Sequence, residues 1–152
     1  MLFKILIMGL PGSGKTTLSD KITASLLEKS YSVVRLNADE QRQKYHDWDF
    51  TLEGRLRQAQ RMFNFCEWKD GYSKKRTEDI AVVDFVAPNQ KSRSIFSPDY
   101  LIWMDTINEC RFDDTQQLFL DPLCYDYRVQ DSDNEKHVQN IINDVLNPQN
   151  GF

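Results

Sequence analysis

The sequence predicts an α/β fold of three layers, with helices on both faces of a mostly parallel, five-stranded sheet. Three observations carry that expectation. Short apolar runs alternate with segments of helical periodicity, the pattern of βαβ units. The first apolar run leads straight into a glycine-rich turn that opens a helix. The length, 152 residues, suffices for one real core, so residues 1–152 are expected to form a single domain.

The elements follow in order. Strands are expected at 3–8, 32–36, 80–86, 100–104 and 127–129, each a short apolar or β-branched run. A helix is expected over 15–28, where Leu18, Ile22 and Leu26 recur four residues apart. A longer one is expected over 52–66, with the stripe Leu52, Leu56, Ala59, Phe63 and Cys66 facing the core. The last spans 134–146, with Val138, Ile141, Ile142, Val145 and Leu146 on one side. Ser132 and Glu135 read as its capping box, and Asn147-Pro148 ends it. The stretch 70–79 reads as a polar loop, with Lys74-Lys75-Arg76 solvated. The segment 111–126 reads as a helix plus an irregular excursion.

The turn after the first strand is Gly9-Leu10-Pro11-Gly12-Ser13-Gly14-Lys15-Thr16, which fits G-x-x-x-x-G-K-[ST], the phosphate-binding loop. Its glycines let the backbone wrap a polyphosphate with N–H groups pointing inward. The helix start adds partial positive charge. Lys15 can reach the β- and γ-phosphates of ATP, and the Thr16 hydroxyl can ligate Mg²⁺. Gly9 to Thr17 are therefore the candidate ATP-binding residues of a P-loop NTPase fold.

Composition narrows the class. The net charge of −4 draws the chain to neither nucleic acid nor membrane. No stretch approaches the ~20 apolar residues of a membrane span, and the N-terminal run is too short for a secretory signal. Cys66, Cys110 and Cys124 lie far apart, which fits packed thiols in a reducing cytoplasm. His46 and His137 have no partner at metal-binding spacing, and Trp48, Trp68 and Trp103 read as packing residues.

Three features beyond the loop point to a small kinase. Asp39 follows the second strand, where a carboxylate can hold the metal site or accept a substrate hydroxyl proton. The alternative role for Asp39 is N-cap of the next helix, and the two are compatible. Arg42, Arg55, Arg57 and Arg61 cluster near a helix start, where an anionic substrate could be clamped. No guanine-recognition signature is present.

With these residues in place, the chain resembles the adenylyl-sulfate kinases, which phosphorylate the 3′-hydroxyl of adenosine 5′-phosphosulfate. The family's G-L-S-G-x-G-K-T-T-L is similar to Gly9 through Leu18. Its L-D-G-D-N-V-R resembles Leu36-Asn37-Ala38-Asp39-Glu40-Gln41-Arg42, which keeps the second Asp and the Arg but loses the first Asp and the Gly. Its G-F-S-x-x-D-R-x-x-N-x-R-R resembles the run from Asp49 to Arg61, keeping Phe50, Arg55 and Arg61, with Gln58 in the Asn position. Its F-I-S-P-x-R-x-x-R resembles Phe85-Val86-Ala87-Pro88-Asn89-Gln90-Lys91-Ser92-Arg93, and its V-D-T-P-x-x-x-C resembles Met104 through Cys110.

The resemblance implies the roles. Lys15 and Asp39 would be catalytic, and Thr16 and Asp39 would serve Mg²⁺. Arg42, Phe50, Arg55 and Gln58 would hold a small anionic, hydroxyl-bearing acceptor, with Phe85, Val86, Ala87 and Pro88 as its wall. A homodimer is implied by the family's habit. From spacing alone, Phe50 and Phe85 fit the core equally well, and Arg42, Arg55 and Gln58 could face water. The departures concentrate late in the chain. The family's basic lid is reduced to faint echoes in Arg111-Phe112-Asp113-Asp114 and Leu118–Pro122, with no Lys or Arg from 112 to 127. Asp84 closes a Walker-B-like strand where the family has a small residue, and so is expected to share the Mg²⁺ surroundings. Transfer to another acceptor (a nucleoside, a sugar or a polynucleotide 5′-hydroxyl), or nucleotide binding with little turnover, is the alternative reading.

Overall fold

The computed structural model describes residues 2–67 and 76–151. Five strands form one sheet: β1 (Phe3–Gly9), β2 (Val33–Asn37), β3 (Ile80–Asp84), β4 (Tyr100–Met104) and β5 (Tyr127–Val129). Their order is β2-β3-β1-β4-β5 and every pairing is parallel. The helices are α1 (Lys15–Glu28), α2 (Ala38–Tyr45), α3 (Leu52–Glu67), α4 (Gln90–Phe96), α5 (Asp113–Leu118) and α6 (Asn134–Val145). A 3₁₀ turn at Pro148–Asn150 follows.

Side chains of a strand alternate between faces, and the two cores follow that alternation. On one face Ile5, Ile7, Val82 and Ile102 pack with Leu18, Ile22 and Leu26 of α1 and Ile141, Ile142 and Val145 of α6. On the other, Leu6, Met8, Val83 and Trp103 pack with Ala59, Met62 and Cys66 of α3 and Phe96 of α4. A parallel sheet covered on both faces reads as continuous apolar strands, and β3 and β4 are buried throughout. All strands point the same way, so the loops after β1, β2, β3 and β4 meet at one sheet end, where open α/β sheets place ligands.

The structure corrects several expectations. The second strand starts at Val33 and runs to Asn37, and α2 and α4 are separate short helices. Asp133, not Ser132, caps α6 by accepting from Lys136 N–H. In α3 the buried face is Gly54, Arg55, Gln58, Ala59, Met62 and Cys66, while Leu52 is half exposed. The helix is rotated because Arg55 and Gln58 find hydrogen-bond partners inward. The three cysteines are free thiols; Cys66 is buried, Cys110 partly so, and Cys124 is exposed rather than packed. Trp48 is exposed and Trp103 buried. Trp68 and Lys74-Lys75 lie outside the described residues, while Arg76 is half-buried and donates to the Phe65 carbonyl. No described helix is long and apolar enough to cross a membrane.

Candidate active site

The phosphate loop runs from β1 into α1. Gly12 and Gly14 adopt left-handed backbone angles, φ 83° and 99°, which an L-residue with a Cβ adopts only under strain. Gly9 is required for a different reason. A Cβ there would lie 2.8 Å from Ser13 Oγ and 2.9 Å from the Met104 carbonyl oxygen, so only glycine lets the loop lie against the end of β4. The loop is braced internally by Ser13 N–H to the Leu10 carbonyl, 3.1 Å. It is braced from β4 by Thr106, whose hydroxyl donates to the Ser13 carbonyl at 2.7 Å. In the sequence Thr106 stands out only within the Met104–Cys110 resemblance; a threonine just past a strand beside the loop is the signal that marks it.

Ser13 Oγ is buried without a protein partner. Lys15 bends back so that its ammonium donates to the Leu10 carbonyl at 2.9 Å. Desolvation pulls the Lys15 pKa down to about 8, although Asp84, Asp39 and Cys110 lie close enough to favour its charge. Thr16 and Thr17 are exposed at the head of α1.

Asp39 stands exposed in the first turn of α2. It does not cap that helix: Asn37 does, accepting from Glu40 N–H at 3.1 Å. The carboxylate is thus not used in capping and stands in the first turn of the helix, where negative charge is favoured. Among the described residues no group of three or more His, Cys, Asp or Glu side chains could hold a metal ion. The oxygens of Thr16 and Asp39 instead fit Mg²⁺, a hard cation that keeps several waters and is bound through one or two protein oxygens plus substrate phosphates. Asp84 does not stand open as a further ligand. It is 2 % exposed, and its oxygens accept from Arg35, Asn37 and Ser19.

The residues expected to hold the acceptor are brought near one another, though differently from expectation. Phe50 is 42 % exposed, not a core residue, and the guanidinium carbons of Arg42 and Arg55 lie 4.3 and 5.3 Å from its ring centroid. Arg42 is buried and donates to the carbonyls of Asp47 and Asp49. Arg55 is buried, donating to the Phe50 carbonyl and, at 2.8 Å, to Thr115 Oγ1, with Asp114 at 3.6 Å. Neither arginine faces water. Gln58 is also buried and donates to the Ala38 carbonyl at 3.2 Å, tying α3 to the helix that carries Asp39. Arg57 and Arg61 turn to Asp47, and their hydrogen bonds hold its carboxyl far below the usual range.

The expected wall is mostly interior. Phe85, Ala87 and Pro88 are buried and Val86 is partly open. Ala87 has a left-handed φ of 47°. Arg93 holds this turn by donating Nε to the Ala87 carbonyl at 2.9 Å and Nη2 to the Leu120 carbonyl. Beside the loop lies a cleft of about 230 Å³ lined by Leu10, Trp103, Asn108, Gln116, Phe119 and Asp121, among others. It contains carboxylates and amides but no cation.

Comparison with known proteins bears on this arrangement. No curated protein matches the chain. Among solved structures, an APS kinase of Mycobacterium tuberculosis in complex with AMPPNP and APS is 18% identical, covers 93% of this chain and 95% of its own, and superposes with a TM-score of 0.73. A hexameric APS kinase from Thiobacillus denitrificans is 18% identical with a TM-score of 0.75, covering 99% of this chain but 30% of its own. A shikimate kinase from Aquifex aeolicus is 16% identical, covers 99% of this chain and 100% of its own, with a TM-score of 0.60. These likenesses establish the fold. The profile of the family described as Adenylylsulphate kinase matches residues 1–118, most of the chain and all of the phosphate loop, Asp39 and Arg55. The chain belongs to the adenylylsulphate kinase family, and so to the P-loop phosphotransferases that act on a hydroxyl group.

Proposed function

We propose that this protein transfers the γ-phosphoryl group of ATP to the 3′-hydroxyl of adenosine 5′-phosphosulfate, in the cytoplasm. The observation that carries the reading is the meeting of Lys15, Thr16 and Asp39 at one sheet end, with Lys15 within electrostatic reach of Asp39. The loop from Gly9 to Thr17 cradles the phosphates through its N–H groups. Lys15 leaves the Leu10 carbonyl for the β- and γ-phosphates. Thr16 and Asp39 would hold Mg²⁺, which when bound offsets charge on the phosphates. Asp39 accepts the proton of the acceptor hydroxyl as its oxygen bonds to the γ-phosphorus. The bond from that phosphorus to the bridging oxygen breaks, releasing ADP and the phosphorylated acceptor. Phe50 offers an exposed ring for a purine, and Val86 borders the acceptor. Arg42, Arg55 and Gln58 shape this side chiefly by fixing the 47–50 loop and the start of α2.

A panel of acceptors with labelled ATP tests the reading. Transfer to adenylyl sulfate is expected, with Asp39→Ala slowing it by about 10²–10⁴-fold. Transfer to a nucleoside, a sugar or a DNA 5′-end, with none to adenylyl sulfate, would overturn it. Two observations favour such another acceptor: Asp114 pairs with Arg55, and no Lys or Arg is among the described residues that line the cleft beside the loop. A homodimer in solution is part of the proposal, to be checked by light scattering.

A further inference from the structure

Positions 37 and 84 close two neighbouring strands beside the phosphate loop, with an amide at one and a carboxylate at the other. The fold makes them one unit. β2 and β3 pair so that Asn37 lies opposite Asp84, and Asn37 Nδ2 donates to Asp84 Oδ1 at 2.8 Å. The amide's orientation is fixed from both sides. An ionised carboxylate only accepts, and the Glu40 N–H that reaches Asn37 Oδ1 only donates. Asn37 Nδ2 is thereby also directed at Thr16 Oγ1, 3.5 Å away. Behind it, Asp84 is locked by Arg35 Nη2 at 3.0 Å and by Ser19 Oγ at 3.2 Å. Ser19 belongs to α1, as Thr16 does. The run Arg35–Asp84–Asn37 thus ends on a single hydroxyl.

We propose that Asp84, acting through Asn37, is the positioning carboxylate of the metal half of the site. It holds the amide that orients the Thr16 hydroxyl, and it places a negative charge from β3 behind that amide. Being buried and fully bonded, it cannot swing out to ligate, so it works by orientation and by its field. The proposal rests on reading Thr16 as the metal-bearing hydroxyl. Groups behind a ligand commonly matter about 10–100-fold in metal affinity.

The test is ATP binding by calorimetry, with Mg²⁺ titrated in and with the metal chelated, and with no acceptor present. Asp84→Asn is expected to raise the Mg²⁺ concentration needed to tighten ATP binding by about tenfold, leaving metal-free ATP affinity unchanged. The exchange variant Asn37→Asp/Asp84→Asn keeps one carboxylate in the pair and is expected to restore the Mg²⁺ requirement toward wild type. Asn37→Ala leaves the Asp84–Arg35 pair in place and is expected to raise the Mg²⁺ requirement in the same way, so the test stands if Asp84→Asn folds poorly. An unaltered Mg²⁺ requirement in Asp84→Asn overturns the proposal. So does equal weakening of metal-free and metal-dependent binding, or an exchange variant that is no better than the single one. A wrong acceptor leaves all of these measurements unmoved, so failure of the acceptor reading is seen separately.

Discussion

At Lys15 burial and charge pull against each other. Lost hydration lowers the ammonium's pKa to about 8, and Asp84, Asp39 and Cys110 offset only part of that. A polyphosphate binds the charged form better. ATP affinity should therefore hold below about pH 8 and fall above it by up to about tenfold per pH unit, as the lysine loses the proton that binding must restore. Fluorescent-nucleotide displacement across that range measures it, and a flat profile would remove Lys15 from the phosphate contacts. Cys66 is moved the other way, its thiol pushed up to about 12 by burial, which makes it inert beside the open Cys124. The lysine's place in the loop was legible in the sequence because a loop motif is local. The burial of Arg42 and Arg55 was not, because their partners are backbone carbonyls and, for Arg55, Thr115 and Asp114 on a distant helix.

The helices show where periodicity stops informing. The length of α3 was readable from its apolar spacing, but not its buried face, which includes Arg55 and Gln58. Short α2 and α4 complete few turns and leave no stripe to read. Their signals are the capping residues Asn37 and Asn89. Gly54 went unremarked in the sequence, yet it sets how α3 begins. A Cβ there would fall 2.3 Å from the Asp49 carbonyl oxygen, in the loop that Arg42 and Arg57 also grip. Gly54→Ala is expected to cost about 1–3 kcal/mol through overpacking, read as a lowered urea midpoint. An unchanged midpoint would mean that the 47–51 loop moves freely, contrary to the contacts around it.

Across the molecule, Arg93 joins segments far apart in the chain. Burial lowers its pKa to about 10, with Asp121 opposing, and its donors hold the Ala87 and Leu120 carbonyls while Leu120 N–H returns to Pro88. Removing it leaves the buried Ala87 carbonyl and the part-buried Leu120 carbonyl without this donor. Arg93→Met should cost about 3 kcal/mol and expose residues 118–124 to limited proteolysis. Unchanged melting and cleavage would show the two segments to be held by other contacts. The parallel order of the sheet was legible from alternation of elements; this cross-tie was not, since it depends on how loops meet after folding. The described sheet itself ends at β2 and β5, and each edge strand carries an arginine at its centre, Arg35 and Arg128. One is bonded to Asp84 and the other to Asp105, and β5 is only three residues long. A brief or charged border is a poor template for a further strand. Two copies that associate would do so through helical surfaces rather than by extending one sheet across both, and the same borders guard the chain against the strand-to-strand accretion that begins aggregation.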